Sequence, residues 1–163
     1  MKAGLISDTH GWWDDKYIQY FSGCDEIWHA GDIGSETVAD RLAAIKPLRA
    51  VYGNIDGQDL RLRYPKIAHF KVEDRRVMMT HIGGYPGRYD PSVRAELLRV
   101  KPDIFVAGHS HILKVRFDSQ MNCLFINPGA AGKNGIHQVR TLVRFVITGA
   151  AVKDLEVIEL KGR

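Results

Sequence analysis

The sequence is poor in cysteine and has neither a long apolar run nor a block of like charge. Among 163 residues only Cys24 and Cys123 occur. They stand far apart and outside any Cys-x-x-Cys pair, which argues against a zinc–thiolate centre or a disulfide framework. In a reducing compartment both read as small core residues. The apolar start at Met1–Ser7 is broken by Asp8, too early for a signal-peptide core, and no later run could span a bilayer. A soluble, cytoplasmic protein without a membrane partner is expected. The net charge of +4 comes from scattered Lys and Arg, with no basic stripe interleaved with aromatics. No stable nucleic-acid partner is therefore expected. Repeats, low-complexity tracts and linkers are absent, and 45% hydrophobic with 26% charged residues suits one domain over residues 1–163.

What is present is a series of short apolar runs, each ending in a polar loop. Lys2–Ser7 leads into Asp-Thr-His-Gly, and Asp25–His29 into Ala-Gly-Asp. Arg49–Tyr52 leads into Gly-Asn-Ile-Asp, Val77–Thr80 into His-Ile-Gly-Gly, and Ile104–Ala107 into Gly-His-Ser-His. These read as strands entering loops. Helical stretches are expected over Trp13–Phe21, Glu36–Ile45 and Pro91–Val100, the last with Asp90 as N-cap and Pro91 at its first position. After residue 111 the pattern becomes strands joined by turns: Val115–Phe117, Cys123–Ile126, Thr141–Ile147 and Val152–Leu160. Lys66–Val72 is a further strand candidate. A mixed α/β protein with two packed sheets and helices outside is the economical architecture.

Loops at the carboxyl ends of parallel strands gather along one sheet edge, where ligands bind. Asp8, His10, Asp32, Asn54, His81, His109 and His111 all fall there. Singly, a Gly-Asp or Gly-Asn pair is ordinarily a turn and a strand-end His is ordinarily structural. Five such loops in order are hard to obtain without a shared purpose. Carboxylate, amide oxygen and imidazole suit divalent manganese, iron, nickel or zinc.

At these positions the sequence resembles the calcineurin-like metallophosphoesterases. The resemblance is carried by Asp-x-His-Gly at 8–11, Gly-Asp at 31–32, Gly-Asn at 53–54, His81, Gly-His-x-His at 108–111, and Asn-Pro-Gly at 127–129. It is nearest to the small single-domain phosphodiesterases of bacteria and archaea. The resemblance implies a four-layer αββα sandwich, two mixed β-sheets flanked by helices, with a metal site at the strand C-terminal edge. It assigns Asp8, His10 and His111 to one ion, Asn54, His81 and His109 to the other, and Asp32 to both. Two divalent ions, with manganese favoured, would then activate a shared water for in-line attack on a phosphate ester. The catalytic residues implied are His10, Asp32 and Asn54.

Two departures from the family's pattern matter. Many members carry His directly after the motif Asn to protonate the leaving group, whereas this chain has Ile55. His10, and behind it Asp56, are the alternative donors; Asp56 could equally sit in an Asp-Gly turn. The stretch after Asn-Pro-Gly has Ala130-Ala131-Gly132-Lys133 where relatives often place Ser and Arg. Lys133 reads as a loop lysine or a phosphate contact. In the loop after His81, Arg88 is a candidate substrate contact, with Tyr85 and Tyr89 as stacking or loop-pinning residues. His29 reads as an orienting or structural histidine, and His69 and His137 as structural or surface residues. Trp12 and Trp13 read as packing on the core at the start of the first helix, or one of them as lining the cleft. The alternative function is that of the retromer subunit sharing this fold, a protein-interaction scaffold with a degraded metal site. Seven intact ligand positions favour an enzyme. Self-association is compatible with either.

Overall fold

The structure is a computed structural model describing residues 1–162. Along the chain run β1 (Lys2–Ile6), α1 (Lys16–Phe21), β2 (Glu26–His29), α2 (Glu36–Ile45), β3 (Leu48–Ala50), α3 (Gln58–Arg63), β4 (Ile67–Val72) and β5 (Arg75–Thr80). Next come β6 (Gly84–Tyr85), β7 (Arg88–Tyr89), α4 (Pro91–Val100), β8 (Ile104–Val106), β9 (Lys114–Asp118), β10 (Cys123–Asn127), β11 (Arg140–Thr148) and β12 (Ala151–Leu160). The strands form two five-stranded mixed sheets, ordered β12-β11-β1-β2-β3 and β4-β5-β8-β10-β9, plus the β6-β7 hairpin.

Apolar residues on alternate sides of the strands explain the stacking. Leu5, Trp28 and Phe145 of the first sheet meet Val77, Met79 and Val106 of the second in a buried apolar layer. The outer face of the first sheet packs on Tyr17 and Phe21 of α1 and on Val38 and Leu42 of α2. The outer face of the second packs on Val93 and Leu97 of α4. The expected four-layer αββα sandwich is therefore the fold. Among the described residues no helix is long and apolar enough to cross a membrane.

Local chemistry sets the element ends. The Ser35 hydroxyl accepts the Val38 N–H at 3.2 Å and starts α2, and the Asp90 carboxylate accepts the Ser92 N–H at 2.9 Å and starts α4. The first helix begins later than its apolar pattern suggests. The Asp14 carboxylate accepts the Lys16 N–H at 3.0 Å and binds Arg140 at 2.9 Å, which holds residues 13–15 outside the helix. Two elements escaped the sequence reading. Helix α3 has only six residues and a glycine N-cap without a side-chain bond, and the β6-β7 hairpin pairs only two residues per strand.

Parallel pairing decides where the loops go. β1, β2 and β3 run parallel in one sheet, and β5 and β8 run parallel in the other. Their carboxyl ends bring the five polar loops to one edge.

Candidate metal centre

The loops are laced together by main-chain bonds. Asp8 N–H donates to Gly31 O at 3.0 Å, His10 N–H to Asp32 O at 3.0 Å, and Gly108 N–H to His81 O at 3.0 Å. The segment after Asn127-Pro128-Gly129 joins in, with Gly132 N–H donating to Asp8 O at 3.0 Å. Asn127 itself donates to Gly108 O at 2.9 Å and to Ser110 Oγ at 3.1 Å, clamping the Gly-His-Ser-His loop. Within this frame Asp8, His10, Asp32, His109 and His111 have φ of 54°, 47°, 53°, 69° and 59°. L-residues avoid this left-handed region at a cost of roughly 1 kcal/mol each. Five such residues at one sheet edge mark a place where local stability is given up for the aim of side chains.

Those side chains form two groups. Asp8, His10 and His111 make one, and Asp32, His81 and His109 the other, with ligand-type atoms lying within 4.8 Å of one another in each. Asp32 touches both: its Oδ2 lies 3.2 Å from His81 Nε2 and 3.5 Å from His10 Nε2. Asn54 is exposed and lines the same cleft as His81. Gly53 lets the Asn54 loop approach, since a Cβ there would stand 2.0 Å from Asp32 Oδ1. Likewise Gly31, at φ 97°, leaves room for the His81 ring, which a Cβ would meet at 2.7 Å.

Each group is aimed by a partner behind it. Ser7 Oγ and the His109 N–H donate to Asp8 Oδ2 at 2.7 and 3.1 Å, leaving Oδ1 toward the imidazoles. The Ile55 N–H donates to Asp32 Oδ1 at 3.1 Å, leaving Oδ2. His81 Nδ1 bonds Ala30 O at 2.8 Å, so Nδ1 carries hydrogen and Nε2 presents a lone pair. Asp8 Oδ1, His10 Nε2 and His81 Nε2 are buried without any hydrogen bond. Asp8 Oδ1 stands 3.1 Å from His111 Nε2, in ion-pair range but without hydrogen-bond geometry. Buried polar atoms left without a bond are costly, and convergent lone pairs are what a cation satisfies. The residues therefore fit two divalent ions.

The electrostatics agree. Burial works to raise the Asp8 carboxyl, yet the imidazoles of His10 and His111 beside it and the Ser7 hydroxyl hold it far below the usual range. Asp32 is also lowered, with His81 outweighing burial. His10 is raised by Asp8, and His81 is raised because Asp32 and Asp8 outweigh its burial. His109 is lowered by burial and by His81. Protons occupy the same electrostatic well that a metal would.

Other predicted residues find different places. Asp56 is neither a free turn residue nor a donor aimed at the cluster. Its carboxylate accepts three main-chain N–H groups, from Gly53 at 2.8 Å, Ile33 at 3.1 Å and Gly34 at 2.7 Å. His29 is fully buried and orients main chain rather than a ligand side chain. Its Nδ1 accepts the Gly31 N–H at 3.1 Å, and its Nε2 meets Thr9 Oγ1 at 2.9 Å. Lys133 lies 4.0 Å over the half-exposed Trp12 ring, and Trp13 packs on Tyr17. Tyr89 donates to Asp118 at 2.6 Å and pins its loop. Tyr85 sits under Lys114, and His69 pairs with Glu96 at 3.0 Å. The structure does not bring Arg88 to the cluster: it lines a separate cleft with Arg94, Asp118 and Met121. His137, read as a structural or surface residue, stands behind His111, and Arg61 on α3, which went unseen in the sequence, reaches the Asn54 loop. Neither lies in a recognisable motif.

Residues 1–149 match the Calcineurin-like phosphoesterase superfamily domain. The chain belongs to this family. A curated relative, a probable metallophosphoesterase of Methanothermobacter thermautotrophicus, is 29% identical over 135 residues, covering 80% of this chain and 77% of that protein. Similar solved structures share this phosphoesterase fold at lower identity. A novel archaeal phosphodiesterase aligns at TM-score 0.73 with 22% identity, over 98% of this chain and 100% of that one. Wild-type Vps29 of Entamoeba histolytica, complexed with zinc, aligns at 0.75 with 17% identity, over 98% and 99%.

Proposed function

We propose that this calcineurin-like phosphoesterase is a two-metal phosphodiesterase that hydrolyses its substrate by in-line attack of water on phosphorus. The observation that carries the reading is the position of Asp32 Oδ2, faced by one imidazole from each ligand group. Asp8, His10 and His111 would hold one ion, and Asn54, His81 and His109 the other, with Asp32 serving both. Two divalent ions held there would polarise the phosphoryl oxygens and acidify nearby water.

The chain supplies orientation. Ser7 and the His109 N–H fix Asp8, the Ile55 N–H fixes Asp32, and Ala30 O fixes His81. The strained left-handed loops keep these groups preset, which spares reorganisation during reaction. A cleft of about 300 Å³ beside Asn54 and His81 admits the substrate. At Nε2 the two roles that the sequence allowed His10 exclude each other. Its Nε2 faces both carboxylates, and an atom that binds a cation has no proton to hand to a leaving group.

The test is metal analysis with activity. Protein reconstituted with manganese should hold close to two ions and hydrolyse bis(4-nitrophenyl) phosphate. Asp32→Asn should lose ions from both groups and cut the rate by more than about 100-fold. Absence of hydrolysis after manganese, nickel or zinc loading would overturn the reading. It would favour the scaffold alternative, to which the exposed Val115 and Phe117 on edge strand β9 and Ile112 just before it lend a surface.

A further inference from the structure

We propose that Arg61 and Lys66 form an anion subsite that binds the departing phosphate of a substrate carrying a diphosphate. The inference rests on the phosphoesterase reading and names its substrate class. Both residues line the cleft that also contains Asn54 and His81. Arg61 is aimed by its surroundings: Nε donates to Asp56 O at 2.7 Å, Nη2 to Asn54 O at 3.3 Å, and the guanidinium lies 4.7 Å over the Tyr52 ring. Lys66 immediately precedes β4, and its own main-chain oxygen accepts the hydroxyl of Thr80, the residue directly before His81, at 3.2 Å.

The charge at this wall is only partly compensated. Arg63 is held by Asp40 at 2.9 Å and Glu36 at 3.6 Å, whereas among the described residues neither Arg61 nor Lys66 has a carboxylate within ion-pair distance. Asp90 lines the same cleft and its charge is felt by Lys66, while its Oδ1 is also engaged by the N–H and hydroxyl of Ser92. Two cations therefore face one engaged carboxylate, and a planar guanidinium beside an ammonium suits phosphate oxygens.

The same class follows from what the site lacks. Ile55 cannot donate a proton, and Asp56 is spent on main-chain N–H groups. An alkoxide leaves poorly without a general acid, whereas a phosphate needs charge stabilisation rather than a proton. In the reaction, the oxygen of water bonds to the ester phosphorus and the bridging P–O bond breaks. The electron pair stays on the bridging oxygen of the departing phosphate. One proton of water ends on that phosphate and the other goes to solvent. The attacked phosphorus carries one ester and one anhydride substituent before attack, like the disubstituted phosphorus of a diester, and only the ester afterwards.

The experiment uses manganese-loaded protein with adenosine diphosphate, its α,β-methylene analogue, and bis(4-nitrophenyl) phosphate. The wild type should release adenosine monophosphate and phosphate. Arg61→Gln and Lys66→Met should each cut kcat/KM on adenosine diphosphate roughly 10–100-fold, and several-fold more than on the chromogenic diester. Calorimetric binding of the methylene analogue should weaken by a similar factor. Lys66→Met carries the test if Arg61→Gln disturbs the Asp56 loop. Equal losses on both substrates, or unchanged analogue binding, would overturn the subsite. A wild type that cleaves the diester but neither cleaves adenosine diphosphate nor binds the analogue would overturn it while leaving the phosphoesterase reading intact. Silence on both substrates would overturn that reading and this one together.

Discussion

His111 and His137 meet Nδ1 to Nδ1 at 3.2 Å, and His137 Nε2 lies 2.9 Å from Gly132 O. A carbonyl only accepts, so His137 carries its hydrogen on Nε2 and presents a lone pair at Nδ1. His111 must then place its own hydrogen on Nδ1, which directs the Nε2 lone pair toward Asp8 and the ligand group. One ring thus sets the tautomer of another, and the carbonyl of the Gly132 loop sets both.

His137→Ala should weaken uptake of one of the two ions roughly 10–100-fold, as loss of an orienting partner behind a ligand does. The other ion, which would be held by His81 and His109, should bind almost as before. His137→Gln, whose amide can restore a hydrogen bond to His111, should recover part of the loss. Stepwise manganese titration by calorimetry reads the two affinities separately. Equal weakening of both ions, or none, would show that His137 only packs against His111.

Why the sequence revealed His111 but not His137 has a physical answer. Candidate ligands follow strand ends, where a short apolar run stops at a fixed place, so Asp8, Asp32, His81 and His109 announce themselves. His137 arrives through an irregular loop whose path is set by Gly132 and Gly135, and nothing local in the sequence predicts that path. The same holds for Asp56. Its Asp-Gly neighbour reads as a turn, while its real partners, Ile33 and Gly34, are brought by another loop. The layers were legible because alternation along strands and the apolar faces of α2 and α4 are local signals. Helix α3 was not, since six residues give too little periodicity to read.

Asp56 yields a stability prediction. Three main-chain N–H groups point at one carboxylate that is nearly inaccessible. Asp56→Ala leaves those donors buried and unpaired, which should cost roughly 3 kcal/mol. Asp56→Asn keeps the shape but turns an NH₂ toward at least one N–H donor, so it should fall between. Urea unfolding of metal-free protein measures the loss directly. A cost below about 1 kcal/mol for the alanine variant would mean that the clasp does not hold the two loops.

The metal-free cluster makes the effect of metal on stability depend on pH. His10 and His81 titrate above their ordinary 6.5 because Asp8 and Asp32 stabilise their charged forms. A group with a raised folded-state pKa contributes stability fully present below 6.5 and lost as pH rises through the raised value. Metal-free protein should therefore give up this contribution on the alkaline side. Metal binding requires neutral imidazoles, so uptake releases protons and strengthens over the same range. Both trends widen the gap in Tm between manganese-loaded and chelator-treated protein as pH climbs from about 6 to about 8.5. Asp8 and Asp32, held below 3.8, remain ionised throughout that window and do not reverse the trend. Thermal unfolding with and without manganese at several pH values tests it. A gap that stays constant or narrows would mean that protons and metal do not compete for His10 and His81, and would remove these two residues from the ligand set.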